Sequence, residues 1–223
     1  MDQPKLEVRA PLSTERLLLR PFVPEDFDAV FAMQSDPDVT RWLYWGPRNE
    51  EEVRAALELK IAATAIVAED DPLFLAAVRK DSGALVGDFV LGWASEQHGT
   101  GEVGFIVHPD HQGHGYATEA GEVLLRLAFD GLGLHRVIGR TEARNSGSAR
   151  VLEKLGMRRE AHLVENEWVR GEWQSELVYA ILDREWRARR GTQTGPSPRR
   201  CRPRPGRAWS ATRRACGPRR THV

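Results

Sequence analysis

Glu102 to Gly121 reads EVGFIVHPDHQGHGYATEAG and gathers the residues best suited to chemistry. Glu102 opens a run in which Val103, Phe105 and Val107 alternate with Gly104 and Ile106. A strand there puts the carboxylate on the face opposite the bulky apolar set. Pro109 stops the ladder because it has no N–H to donate. Gln112-Gly113-His114-Gly115-Tyr116-Ala117 follows, and Ala117, Ala120, Gly121, Leu124, Leu125 and Ala128 then recur at helical spacing. A glycine loop between a strand end and a helix start makes an anion site. The first helical N–H groups lack internal partners, the helix dipole adds partial positive charge, and glycines let a ligand come close. A diphosphate fits such a site. The same spacing also serves a tight strand-to-helix turn. The Rossmann pattern fails, since Thr118 stands at its third glycine, and GxxxxGK[ST] is absent.

At these residues the chain resembles the GNAT superfamily of acetyl-CoA-dependent N-acetyltransferases. The family signature Q/R-x-x-G-x-G/A is matched at every fixed position from Gln112 to Ala117. A second stretch, Asn145 to Met157, carries N-x-x-S-x-R-V-L-E-K-L-G and resembles the same family. It is most similar to the branch that includes ribosomal-protein-alanine N-acetyltransferases. T-E-R-L-x-L-R at Thr14 to Arg20, E-V-G-F at Glu102 to Phe105, and Trp173 to Ile181 also fit that branch. The resemblance covers residues 13–187.

The resemblance implies acetyl-CoA as co-substrate. It gives the coenzyme diphosphate to the loop of Gln112, Gly113, His114, Gly115, Tyr116, Ala117 and Thr118. The backbone of Ile106, Val107 and His108 would pair with the pantetheine arm like an added strand. Glu102 is the expected general base; otherwise it is a strand-edge carboxylate paired with an arginine. Ser148 is the candidate acid for the leaving thiolate, or a first-turn residue satisfying helix backbone groups. Many GNAT enzymes carry a tyrosine four residues before the glycine that ends this helix. Leu152 stands there in this chain. Asn145 is expected both to cap the helix and to bond the pantetheine arm. Trp42, Tyr44 and Trp45 either wall the acceptor site or pack the N-terminal helices.

Acetyl transfer to an amine needs a proton acceptor, a polarised carbonyl and a leaving thiolate, and no metal. His98, His108, His111 and His114 match no closed zinc spacing, so no metal is expected. Both cysteines, Cys201 and Cys216, fall near the C-terminus, which leaves residues 1–188 without a cysteine nucleophile. Direct attack in a ternary complex follows, rather than an acetyl-cysteine route.

The zero net charge conceals two halves. Residues 1–188 hold all 32 acidic and 21 of the 32 basic residues, a net −11. Residues 189–223 hold 11 arginines and no acid. The acidic part suits a basic acceptor, chiefly through encounter rate. The Arg/Pro-rich segment 191–223 has too few apolar residues to offset its ordering entropy and reads as a disordered tail. No apolar run is long enough to span a membrane, and Met1 to Ala10 lacks an apolar signal core, so a cytoplasmic location is expected. The expected assembly is a monomer or homodimer.

The remaining elements must hold this site. Strands are expected at 17–22, 73–78, 85–93, 136–141, 160–169 and 172–182, and helices at 24–34 and 49–63. Asp183 to Arg190 reads as a short polar coda. The expected fold is α+β: a twisted, mostly antiparallel, GNAT-like sheet of six to seven strands with helices on both faces. The expected acceptor is a protein N-terminus or a small-molecule amine. The competing readings are a non-catalytic acyl-CoA sensor and a nucleic-acid partner acting through the arginine tail.

Overall fold

The computed structural model describes residues 5–191. β1 (Leu6–Glu7), β2 (Leu12–Ser13) and β3 (Leu17–Arg20) lead into α1 (Phe27–Gln34), α2 (Pro37–Thr40) and α3 (Glu50–Ala62). β4 (Ala65–Ile66), β5 (Pro72–Arg79), β6 (Leu85–Ser95) and β7 (Thr100–Val107) precede α4 (Tyr116–Arg126). β8 (Arg136–Glu142), α5 (Ser146–Lys154), β9 (Arg158–Val169), β10 (Glu172–Leu182) and α6 (Asp183–Arg190) follow. The large sheet runs β2-β3-β5-β6-β7-β8-β10-β9, and β1 pairs with β4 apart from it. Eight strands replace the expected six to seven because the two-residue β2 is added at one edge. Turn chemistry sets the hairpins: Arg170 and Gly171 both adopt positive φ between β9 and β10.

Every neighbouring pair in the large sheet is antiparallel except β7 and β8. These two pair only through Thr100↔Arg136, Gly101↔Val137 and Glu102↔Ile138. Beyond Glu102 they separate and leave a wedge at the middle of the sheet.

Period-two alternation sorts the core into two layers. Val103, Phe105 and Val107 join Ala117, Ala120, Leu124 and Leu152 under α4 and α5. Ile106, Ala76 and Val78 join Phe22, Val30, Met33, Val53 and Leu57 under α1 and α3. Glu102 therefore emerges on the α1–α3 face. The Asn49 side chain accepts from Glu52 N–H, and Glu52 accepts from Asn49 N–H, a capping box that starts α3 at the beginning of the helix expected over 49–63.

The polar coda is a correction. Asp183 to Arg190 forms α6, entered through a Leu182 N–H to Glu185 Oε2 bond of 2.9 Å. Its Trp186 is 2% exposed and lies 5.2 Å, centroid to centroid, from Phe129. A single large apolar residue among charges carries no periodic signal, yet it anchors the turn. Arg189 donates to Leu155 O and Lys154 O, tying α6 to the end of α5. At the other end, Val8 is buried and Leu6 pairs opposite Ile66, which the charged first ten residues did not announce.

Trp186→Ala is expected to cost about 3–5 kcal/mol in chemical denaturation. A chain ending at Arg190 is expected to keep the full-length midpoint and activity. The tail reading, with Cys201 and Cys216, lies outside the described residues.

Candidate active site

The glycine loop takes the form its sequence required. Gly113 has φ +78° and Gly115 +81°, the left-handed region that a Cβ disfavours. Gly115 is the residue preceding α4, and no side chain caps that helix. The first N–H groups, from Tyr116, Ala117 and Thr118, are thus left for a ligand or water. Gln112, Gly113, Gly115, Tyr116, Ala117 and Thr118 line a cleft of about 1590 Å³ that also reaches Glu102. The Gln112 side chain folds back and donates to Val107 O at 3.2 Å, which closes the loop against the strand end. His114 is not part of this lining; its ring stacks on Tyr116 at 5.7 Å.

The strand edge needs a correction. His108 N–H donates to Val86 O at 2.9 Å, and Ile106 O faces Gly87, so both residues turn their backbone groups toward β6. With period two, Val103, Phe105 and Val107 present theirs to the wedge. Of the three expected pantetheine partners, Val107 alone has the right orientation, and Val103 and Phe105 join it. Spacing alone could not fix this, since either edge of β7 was open until its neighbours were known.

Glu102 lies where the two strands part. Its Oε2 is 3.5 Å from Arg140 Nε on β8, and Arg140 Nη1 is 3.2 Å from Glu176 Oε2 on β10. The Tyr44 hydroxyl donates to Glu176 Oε1 at 3.5 Å. The arginine-paired alternative for Glu102 is thus partly realised. Even so, desolvation at the cleft floor pushes its carboxyl above the usual range; Arg140 opposes the shift and the Glu176 charge adds to it. Glu176 is raised for the same first reason, with Arg140 again opposing. Burial holds the Tyr44 hydroxyl well above its usual value, with a hydrogen bond to Glu167 and the Glu176 charge behind it.

An elevated carboxylate beside a single cation suits a base that must take a proton from an ammonium and release it to water. Only the ionised form can accept a proton, so kcat/KM should fall as pH drops through its pKa. Arg140→Met removes the stabilising cation and is expected to move that acid limb to higher pH. Glu176→Gln removes a like charge and is expected to move it to lower pH. A pH–rate profile of both variants checks the two opposite signs.

Trp42, Tyr44 and Trp45 all line the cleft. Arg41 lies over the Trp42 ring at 4.5 Å and Arg48 over Trp45 at 3.9 Å, so the two indoles are held by cations from their own segment. On the opposite wall, Asn145 Oδ1 accepts from Ser148 N–H at 3.1 Å and caps α5. Asn145 and Ser148 both border the cleft. Leu152, at the family's tyrosine position, is 1% exposed and packs where a Cβ on Gly139 would be. A phenol there would point into the core, so the hydroxyl nearest the cleft on this helix is that of Ser148.

Residues 16–158 match the family model for the acetyltransferase (GNAT) domain. The chain belongs to the GNAT acetyltransferase family. It is 34% identical over 175 residues to a Bacillus subtilis protein named uncharacterized N-acetyltransferase YnaD, covering 78% of this chain and 98% of that one. A Bacillus anthracis GNAT-family acetyltransferase crystal structure superposes with a TM-score of 0.71 at 32% identity, over 79% of this chain and all of that one. The Vibrio cholerae spermidine N-acetyltransferase, solved with CoA and spermine, shares the fold with a TM-score of 0.66 at 21% identity, over 78% of this chain and 99% of that one. This acetyltransferase is therefore an enzyme of the acyl-transferring class. Among its described residues no helix is long and apolar enough to cross a membrane.

Three contributors to this acetyltransferase's site escaped the sequence reading: Arg140, Glu176 and Glu167. Arg140 and Glu176 lie on strands 36 residues apart in sequence. Alternation places each on the Glu102 face, but only the strand order β7-β8-β10 brings those faces together.

Proposed function

We propose that this acetyltransferase moves an acetyl group from acetyl-CoA to the primary amine of a small cationic acceptor, with Glu102 as general base. The observation that carries the reading is Glu102 at the parting of β7 and β8, in the same cleft that the glycine loop, Glu167 and Glu176 also line. Bound acetyl-CoA supplies the reactive thioester. The uncapped start of α4 and the left-handed glycines suit its diphosphate, and the β7 edge that faces the wedge suits its amide-bearing arm.

The residues then divide the work. Glu102 takes the ammonium proton, directly or through water, which frees the nitrogen lone pair to attack the thioester carbonyl. The C–N bond forms and the C–S bond breaks; the surplus proton on the attacking nitrogen passes through the Ser148 hydroxyl to the departing sulfur, which leaves as the CoA thiol, and Glu102 releases the ammonium proton to water. Glu167 and Glu176 offer charge to a second cationic group on the acceptor, with the indoles of Trp42 and Trp45 as side walls. With no cysteine among the described residues, transfer runs through direct attack rather than a cysteine-bound acetyl.

An acceptor screen tests this. Free thiol release from acetyl-CoA is read across polyamines, aminoglycosides, amino acids and N-terminal peptides. Small amines with a second positive charge are expected to exceed the peptides by about tenfold or more in kcat/KM, roughly one charge-assisted contact. Preference for peptides would reject the small-amine acceptor, and no thiol release with any amine would reject the activity.

A further inference from the structure

Arg16 lies between β2 and β3, about a hundred residues from the glycine loop in sequence, yet its side chain is built into the back of that loop. Its Nε donates to Glu119 Oε2 at 2.7 Å and its backbone N–H to Glu119 Oε1 at 2.7 Å. Nη1 donates to the His114 carbonyl at 3.0 Å, inside the loop itself. The guanidinium sits 4.7 Å from the centroid of the Tyr116 ring, and Nη2 comes within 3.6 Å of the point where a Cβ on Gly115 would stand. Glu119, in the first turn of α4, also accepts from Thr14 Oγ1 at 2.6 Å. Those hydrogen bonds from Thr14 and Arg16 hold its carboxyl below the usual range against partial desolvation, so it stays ionised at neutral pH.

From this geometry we infer that Arg16 is a positioning residue for the coenzyme diphosphate, acting through the loop. The reasoning is mechanical. His114 is flanked by two glycines in left-handed conformation, the most adaptable backbone in the site. Loop amides bind an anion well only if their directions are fixed before it arrives. Arg16 pins the His114 carbonyl on the outer side of the loop and braces Tyr116, while Glu119 fixes Arg16 to the first turn of the helix whose N–H groups receive the anion. Arg16 does not itself line the cleft, so it acts behind the loop rather than on the ligand.

The inference rests on the acetyl-CoA reading above, and the test separates the two. Steady-state kinetics of the full chain are compared with acetyl-CoA and with S-acetyl-pantetheine, which has the same thioester and no diphosphate. Arg16→Ala is expected to raise KM for acetyl-CoA about tenfold, the size of one charge-assisted hydrogen bond, with kcat at saturation within about twofold. With S-acetyl-pantetheine the variant should match the wild type. Arg16→Lys keeps the charge without the three-way fork and is expected to fall between them; it also serves if Arg16→Ala does not fold. Equal losses with both thioesters, or no change with acetyl-CoA, would overturn the positioning role. A wild-type protein that does not use acetyl-CoA would instead overturn the reading beneath it.

Discussion

Glu102→Gln is expected to lower kcat by roughly 10²–10⁴-fold, the usual cost of removing a general base. The substitution keeps the shape of the side chain and its place beside Arg140, 3.5 Å away, but removes the group that accepts a proton. Acetyl-CoA affinity should stay nearly unchanged, because the coenzyme loop and the β7 edge beyond Val103 do not depend on that carboxylate. The residual rate should climb with pH as more acceptor reaches the site already deprotonated. Steady-state kinetics at several pH values, with coenzyme binding by calorimetry, check all three outcomes. Near-normal kcat at neutral pH would reassign Glu102 to the arginine-paired structural role that its contact with Arg140 also permits.

Gly115→Val should have the largest effect on coenzyme binding. The native φ of +81° costs an ordinary residue about 1–2 kcal/mol, and a β-branched one more. The new side chain would also press on the Arg16 guanidinium, 3.6 Å from the Cβ position. The loop can relieve this only by rotating its amides away from the anion, so acetyl-CoA affinity is expected to fall by about 10- to 100-fold. The helix behind the loop has Ala120, Leu124 and Leu125 buried and should stay folded. A folded variant with unchanged affinity, measured by titration calorimetry, would remove the loop from the coenzyme site.

Both predictions start from residues that were legible in the sequence. Local chemistry wrote them. A strand that alternates Val103, Phe105 and Val107 with Glu102 and Gly104 can face only two ways, and left-handed turns before a helix call for glycine. The capping box at Asn49 and Glu52, the turn at Arg170-Gly171 and the Asn145 cap on α5 belong to the same class, each settled within a few residues. The helix α6 was not legible, because a lone Trp186 among arginines shows its burial only once Phe129 is beside it.

The sequence by itself determined the glycine loop, the face on which Glu102 lies, the start of α3 and the class of fold, since each follows from backbone preferences and short-range periodicity. Only the tertiary structure decided which edge of β7 faces the wedge, that Arg140 and Glu176 share a face with Glu102, and that Arg16 braces the loop from behind. The physical reason is that strand order and register are set by which faces bury together across the whole sheet. A charge on a strand has no partner until that order places one within a few ångströms of it.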